Sequence, residues 1–330
     1  MKIGSRRRAD GETGRYGEIL VRLNPADRVV IAYLAVIAAL VLIFIHRIEN
    51  WALLCAAHAV VIAIIVLIAK SDRRLAQSPH LPVELPSRAL APLPRRSFAS
   101  LVHGWYPVAL IGFTYKELTY LIPRIHPRDF DSALAAIDHR MLGVNPTVWF
   151  ERLTWPPITE VLQLTYATYY FLPIILGVVL WRKYKLETFQ FWVFVAVFGF
   201  YLSYLGYIAV PAIGPRFLPS ITAAQTKPLT GIWLFRYVRE TLDSAEGLTR
   251  DCFPSGHTEV TLLVLFYAHK FHRRTFWWLL PFGIGIIIST VYLRYHYVID
   301  VVAGALLSIA IVMIATPLYK RLAGRPLDLN

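Results

Sequence analysis

Charged side chains are few in this chain. Asp, Glu, Lys and Arg together make up 17% of its 330 residues, against 56% hydrophobic ones. A soluble domain of this length needs a more charged exterior, so that class is excluded. Acidic groups are the scarcer kind, 21 against 34 basic, and no run of carboxylates has the density a magnesium site needs. Cysteine is almost absent: two thiols, with Cys55 inside an apolar run, exclude a disulfide framework. There is no internal repeat, and no small-residue cleavage site follows the first apolar run, so no cleavable leader is expected. The basic residues sit in short links between apolar runs, without the interleaved aromatics of a nucleic-acid platform, so no nucleic-acid partner is expected.

What the chain has is long apolar stretches. Val29–Ile45 runs 17 residues without a charge and Phe189–Val210 runs 22, while Trp51–Ala69 is interrupted only by His58. A helix needs roughly 20 apolar residues to cross the hydrocarbon. The pattern predicts an all-α integral membrane protein with about eight transmembrane helices, near 29–45, 51–69, 101–122, 161–181, 189–210, 258–271, 276–293 and 301–318. A break near Ser100 divides a two-helix N-terminal unit with a proline-rich link (1–100) from a six-helix catalytic core (101–320) and a short tail (321–330).

Lys and Arg give the sidedness. The termini and links 70–100, 182–185 and 270–274 hold 22 of them, the opposite links 11. Positive charge accumulates in cytoplasmic links. Both termini are therefore expected in the cytoplasm, with the link from Pro211 to Gly256 on the extracytoplasmic or lumenal side. Asp129–Leu153 alternates acidic and apolar residues and ends near Trp149 and Trp155, as an interfacial amphipathic helix would.

One short stretch carries chemistry. "FPSGH", ending at His257, opens the sixth apolar run, and a histidine there is costly unless used. The hairpin of the sixth and seventh runs returns the chain to the same face at "YLRYHYVID", which holds His296 and, four residues later, Asp300. On a helix that spacing puts both side chains on one face. An aspartate beside a histidine holds its tautomer and raises its basicity, which suits a nucleophile. His257 is then free to protonate a leaving oxygen. Arg216 and Arg294 fall on the same face, and guanidinium binds phosphate in a bidentate manner. The amides of Ser255 and Gly256, where a helix begins, add anion-binding donors. The set fits phosphoryl transfer. Neither a cofactor nor a metal is expected.

"FPSGH" followed 39 residues after its histidine by His296 and then Asp300 resembles the type 2 phosphatidic acid phosphatase superfamily. The resemblance implies a six-helix core, a phosphohistidine at His296 partnered by Asp300, a general acid at His257, and phosphate binding by Arg216 and Ser255 without metal. Two motif positions depart from the superfamily: Ala209 stands where it has lysine, and Thr290 where it has arginine. "PAIGPR", "STVYLRYHY" and "TYATYYFLP" are similar to the branch containing inositol phosphorylceramide synthase. That branch implies transfer of a phosphoryl-alcohol head group from a phospholipid donor to a lipid alcohol acceptor within the bilayer. A lipid phosphate phosphatase is the nearest alternative, and a lipid-phosphate transporter with a vestigial site is one from another class.

Other residues read as structural. His58, His103 and His272 have no partner at useful spacing. Lys116-Glu117 reads as an internal ion pair or a substrate contact, Arg250-Asp251 as a loop clasp or head-group contact, and Tyr166, Tyr169 and Tyr170 as a packed or interfacial aromatic belt rather than substrate contacts. Cys252 reads as a free, packed thiol.

Overall fold

The computed structural model describes residues 23–76, 98–184, 186–246, 250–324 and 327. The proline-rich link expected at Ser78–Arg96 lies outside them. The described residues are helical and contain no strand. In chain order the helices are α1 (Pro25–Ile43), α2 (Trp51–Ala76), α3 (Phe98–Ile125), α4 (Asp131–Leu142), α5 (Pro156–Ala167), α6 (Leu172–Lys183), α7 (Leu186–Ala209), α8 (Phe235–Glu246), α9 (Gly256–Phe271), α10 (Arg273–Tyr292) and α11 (Val298–Ala323), with shorter turns between them.

The chain is an all-α membrane protein. Among the described residues, six stretches are long and apolar enough to cross a membrane: α1, α2, α5 with α6, α7, α10 and α11. The other two expected runs also fold as helices, for different reasons. α3 is 28 residues long but carries Lys116 and Glu117. α9 has only 16 residues, about 24 Å at 1.5 Å per residue, because it starts inside the bundle rather than at its rim.

α7 is the axis. It is apolar on every side, the pattern of a helix surrounded by others, and 67% of its apolar window is buried, against 17% for α2 at the periphery. It packs against α1, α3, α6, α9 and α11. Of the N-terminal pair, α1 leans directly on this axis, with Tyr33 stacked on Tyr201 at 3.9 Å, and α2 packs against α1 and α3.

Two histidines read as unpartnered have partners far along the chain. His58 Nε2 lies 2.9 Å from Glu117, so Glu117 pairs across helices rather than with Lys116, which reaches the Ala245 carbonyl. The His103 ring nitrogens contact Asp72 at 2.9 Å and Asp27 at 3.0 Å, joining α1, α2 and α3. At the bundle end opposite the "FPSGH" loop, the two basic turns meet: Lys183 Nζ is 3.1 Å from His272 Nε2.

The segment 129–153 is not one interfacial helix. Gly143, with φ of 72°, ends α4, and two short helical turns follow. Three of its four acidic residues turn inward, while Asp129 stays at the rim. Asp131, Asp138 and Glu151 are buried, and each accepts hydrogen bonds from loops around the candidate site. Buried backbone donors need acceptors, and here carboxylates serve instead of water.

Candidate active site

The loop 250–255 dips into the bundle and hands over to α9. Ser255 is the N-cap: its Oγ accepts from the Thr258 amide at 3.3 Å and from the Thr258 hydroxyl at 3.1 Å. Glycines on both sides let the loop in. A Cβ at Gly206 of α7 would lie 2.3 Å from Pro254, and one at Gly304 of α11 would lie 2.4 Å from the Ser255 carbonyl oxygen. The Ser255 amide donates to the Asp300 carbonyl at 3.0 Å, tying the start of α9 to the start of α11.

His257 follows on the first turn of α9. Its ring is clasped between Tyr166, at 4.4 Å and 20°, and Tyr169, at 4.1 Å and 35°. Both tyrosines are buried, so of the two belt readings the packed one holds for them, and they wall this site. His257 Nε2 is buried and has no hydrogen-bond partner. The His296 ring stands 5.7 Å from it at 61°.

His296 and Asp300 do come together, but not on one helix. α11 starts at Val298, so His296 lies in the loop before the N-cap, Tyr297. The Asp300 side chain folds back as a helix cap, and its Oδ2 accepts from the Tyr297 amide at 2.8 Å. The same oxygen lies 3.4 Å from His296 Nδ1. A nearer partner for that nitrogen is the Cys252 carbonyl at 2.9 Å. A carbonyl only accepts, so Nδ1 carries the proton and Nε2 keeps its lone pair. The orienting role expected of Asp300 is thus shared with a backbone group that nothing in the motif marks.

Cys252 is a member of this cluster. Its thiol donates to Asp300 Oδ2 at 2.9 Å and contacts the Tyr295 carbonyl at 3.3 Å. Burial, followed by the charge of Asp300, pushes the thiol pKa well up and keeps it a neutral donor. Cys252, His296 and Asp300 offer three ligand atoms within 4.8 Å of one another, the one group among the described residues able to hold a metal ion. Hydrogen bonds within the trio already engage the thiol, Nδ1 and Oδ2.

The two arginines differ. Arg216 lies over the Tyr295 ring at 4.5 Å, and Tyr295 stacks on Tyr166 at 4.4 Å and 11°. Ring contacts therefore run from Arg216 through Tyr295 and Tyr166 to His257. Arg216 Nη1 also bonds Asp243 of α8 at 2.7 Å. Burial works against its charge, but the Asp243 pairing outweighs that and raises its pKa. Arg239, also on α8, stands 5.7 Å from the same Tyr295 ring. Arg294 is taken into a clasp instead. With φ of 68°, it reaches Glu151 at 2.9 Å, Gln225 at 2.9 Å and the Lys227 carbonyl at 2.7 Å. Its Nη1 and Nη2 hold protein groups that close the 225–227 loop, while Nε is buried without a hydrogen-bond partner. Arg250 pairs with Asp129, with Nη2 to Oδ2 at 3.2 Å, whereas Asp251 accepts from Tyr115 at 2.6 Å.

Sequence reasoning placed His257, His296, Asp300, Ser255, Gly256, Arg216 and Arg294 near one bundle end. It missed Tyr166, Tyr169, Cys252, Tyr295 and the whole of α8. The amphipathic pattern of 235–246 was the available signal for α8; the others are partners across more than 40 residues of chain, with no local mark.

A PA-phosphatase related-family protein of Dictyostelium discoideum is 26% identical over 164 residues, covering 44% of this chain and 30% of the relative. The chain thus spans less than a third of that protein's length. No solved structure matches. The PAP2 superfamily matches over residues 132–314, more than half of the chain, a stretch holding both histidines, Asp300, Cys252 and both arginines, and the chain belongs to that superfamily.

Proposed function

We propose that this protein is a membrane phosphotransferase that moves a phosphoryl-alcohol head group between lipids through a phosphohistidine at His296. The observation that carries the reading is the His296 imidazole, with Nδ1 held by the Cys252 carbonyl and its ring 5.7 Å from the unpaired His257. In the first step the Nε2 lone pair attacks phosphorus, the bond from phosphorus to the leaving oxygen breaks, and His257 gives that oxygen its proton. Asp300 stabilises the positive charge that develops on His296. The amides of Gly256 and His257, the first of α9, have no intrahelical acceptor and suit the phosphoryl oxygens. Arg216 supplies positive charge behind the tyrosine wall. In the second step a lipid alcohol takes the phosphoryl group from His296. The donor is a phospholipid or lipid phosphate. The site end faces the extracytoplasmic or lumenal side; the meeting of the two basic turns at the other end supports this orientation.

A second reading ends the same mechanism on water, giving a lipid phosphate phosphatase. The name of the Dictyostelium relative, a PA-phosphatase related-family protein, favours it. Product analysis with phosphorus-labelled phospholipid, with and without a lipid alcohol, separates the two. The transferase reading expects a new labelled phosphodiester lipid that requires the alcohol, and none from His296→Ala. Free phosphate or a free phosphorylated head group alone, whatever alcohol is added, replaces it with the hydrolase. Full turnover by folded His296→Ala overturns both.

A further inference from the structure

α8 is strapped across the site end of the bundle. Its start is held by Glu160 of α5, whose carboxylate accepts from the amides of Ile232 at 2.8 Å, Trp233 at 3.1 Å, Leu234 at 2.6 Å and Phe235 at 3.2 Å. Its last turn is held by Lys116 of α3, which donates to the Ala245 carbonyl. An acid at the start of a helix and a base at its end both suit the helix dipole. Between these ties Phe235 and Leu242 are buried in a cluster with Tyr166 and Tyr295, and Asp243 bonds Arg216 at 2.7 Å. The inner face of α8 is therefore occupied by protein. On its outer face Arg236 pairs with Glu240 at 2.7 Å, in the open.

The leading end of α8 breaks this pattern. Ile232 is 67% exposed, Trp233 84% and Tyr237 71%. Large apolar side chains grouped on a surface mark a contact with something else, and Glu160 fixes the depth at which these stand. The stretch of α5 and α6 able to cross the membrane runs from Pro156 to Lys183. Glu160 lies four residues inside its start, about 6 Å at 1.5 Å per residue. A bilayer of roughly 40–45 Å around about 30 Å of hydrocarbon leaves head-group layers of roughly 5–8 Å. The amides bonded to Glu160 thus lie within or at the inner edge of that layer, the depth that Trp and Tyr favour. Trp155, the N-cap of α5, begins the same rim and is exposed too.

We propose that Ile232, Trp233 and Tyr237 form a membrane-contact surface, seated in the head-group layer around α5, and that this contact holds α8 in place over Arg216. The partner is the phospholipid surface itself. Glu240 neutralises Arg236, so the contact is apolar and needs no anionic lipid. α8 is a rod of 12 residues, so lipid at its leading end also sets the position of Asp243 and of the Arg216 it bonds. The proposal stands whether the phosphoryl group passes to an alcohol or to water.

The test places an environment-sensitive NBD fluorophore at residue 233 or, as control, at residue 240, in the full chain in phosphatidylcholine nanodiscs that hold one copy each. Attachment uses Trp233→Cys or Glu240→Cys together with Cys55→Ala, since Cys252 is buried. Phosphatidylcholine carrying a doxyl group near its head should quench the probe at 233 at least threefold more than the probe at 240, and iodide in the water should do the reverse. Adding phosphatidylglycerol should leave both unchanged. A probe at 233 that iodide reaches as readily as one at 240 overturns the proposal. So does a probe shielded from iodide and doxyl lipid alike, which would place protein there, and so does doxyl quenching that requires phosphatidylglycerol. Turnover of a lipid phosphoester should fall at least fivefold in Trp233→Asp and stay within twofold of wild type in Trp233→Leu. A side chain this exposed tolerates either change if water is its only neighbour, so equal turnover in the two variants overturns the hold on Arg216.

Discussion

Removing the Asp131 carboxylate should unfasten two site loops at once. Asp131 is 4% exposed, and its oxygens accept from the amides of Ile213 at 3.0 Å and Gly214 at 2.8 Å and from the Tyr297 hydroxyl at 3.0 Å. Those donors belong to the loop that carries Arg216 and to the N-cap of α11, beside His296. In Asp131→Ala no oxygen replaces the carboxylate. A buried donor left unpaired costs about 1–3 kcal/mol, so the two amides alone give roughly 2–6 kcal/mol. Two residues earlier, Asp129 offers the control. It pairs with Arg250 at a rim where the side chains are 27% and 22% exposed, and such exposed pairs contribute about 0–1 kcal/mol. The assay is thermal and denaturant unfolding of both variants in the same detergent, followed by lipid-phosphoester turnover at a temperature where each is folded. Asp131→Ala should unfold far earlier than Asp129→Ala, and its folded fraction should have lower kcat, because the loops on either side of the histidines have lost their shared anchor. A loss below about 0.5 kcal/mol, or one no larger than that of Asp129→Ala, would refute the claim that this carboxylate holds the site together.

Two further outcomes follow from the site. Turnover should survive excess EDTA and be inhibited by vanadate, since the site holds a single carboxylate beside the histidines; loss in chelator with recovery on adding a divalent ion would bring the Cys252, His296 and Asp300 trio back as a metal centre. Cysteines placed at Gln225 and at Leu186 should react with an impermeant reagent from opposite sides, Gln225 from outside, and labelling of both from one side would reverse the membrane orientation.

Much of this protein is written locally. Runs such as Val29–Ile45 and Phe189–Val210 are apolar over a membrane's thickness; in lipid only helices and closed barrels satisfy every backbone group, and barrel strands are shorter and alternate, so the all-α membrane class follows from composition and run length alone. The proximity of His257, His296 and Asp300 also follows from order along the chain: one hairpin returns the chain to the same end, and a short cap joins His296 to Asp300. Packing between distant segments decided the rest. Asp129 and Asp131 are the same residue type two positions apart, yet one sits at the rim with Arg250 and the other is buried against two loops. Arg216 and Arg294 read alike as guanidinium groups near a motif, and only their neighbours, Tyr295 and Asp243 for one, Glu151 and Gln225 for the other, separate them. His58 and His103 meet carboxylates through helix contacts spanning 59 and 76 residues. Periodicity reports which face of a helix is apolar. Which polar group another helix brings to that face depends on how the bundle closes, and only the tertiary structure holds that information.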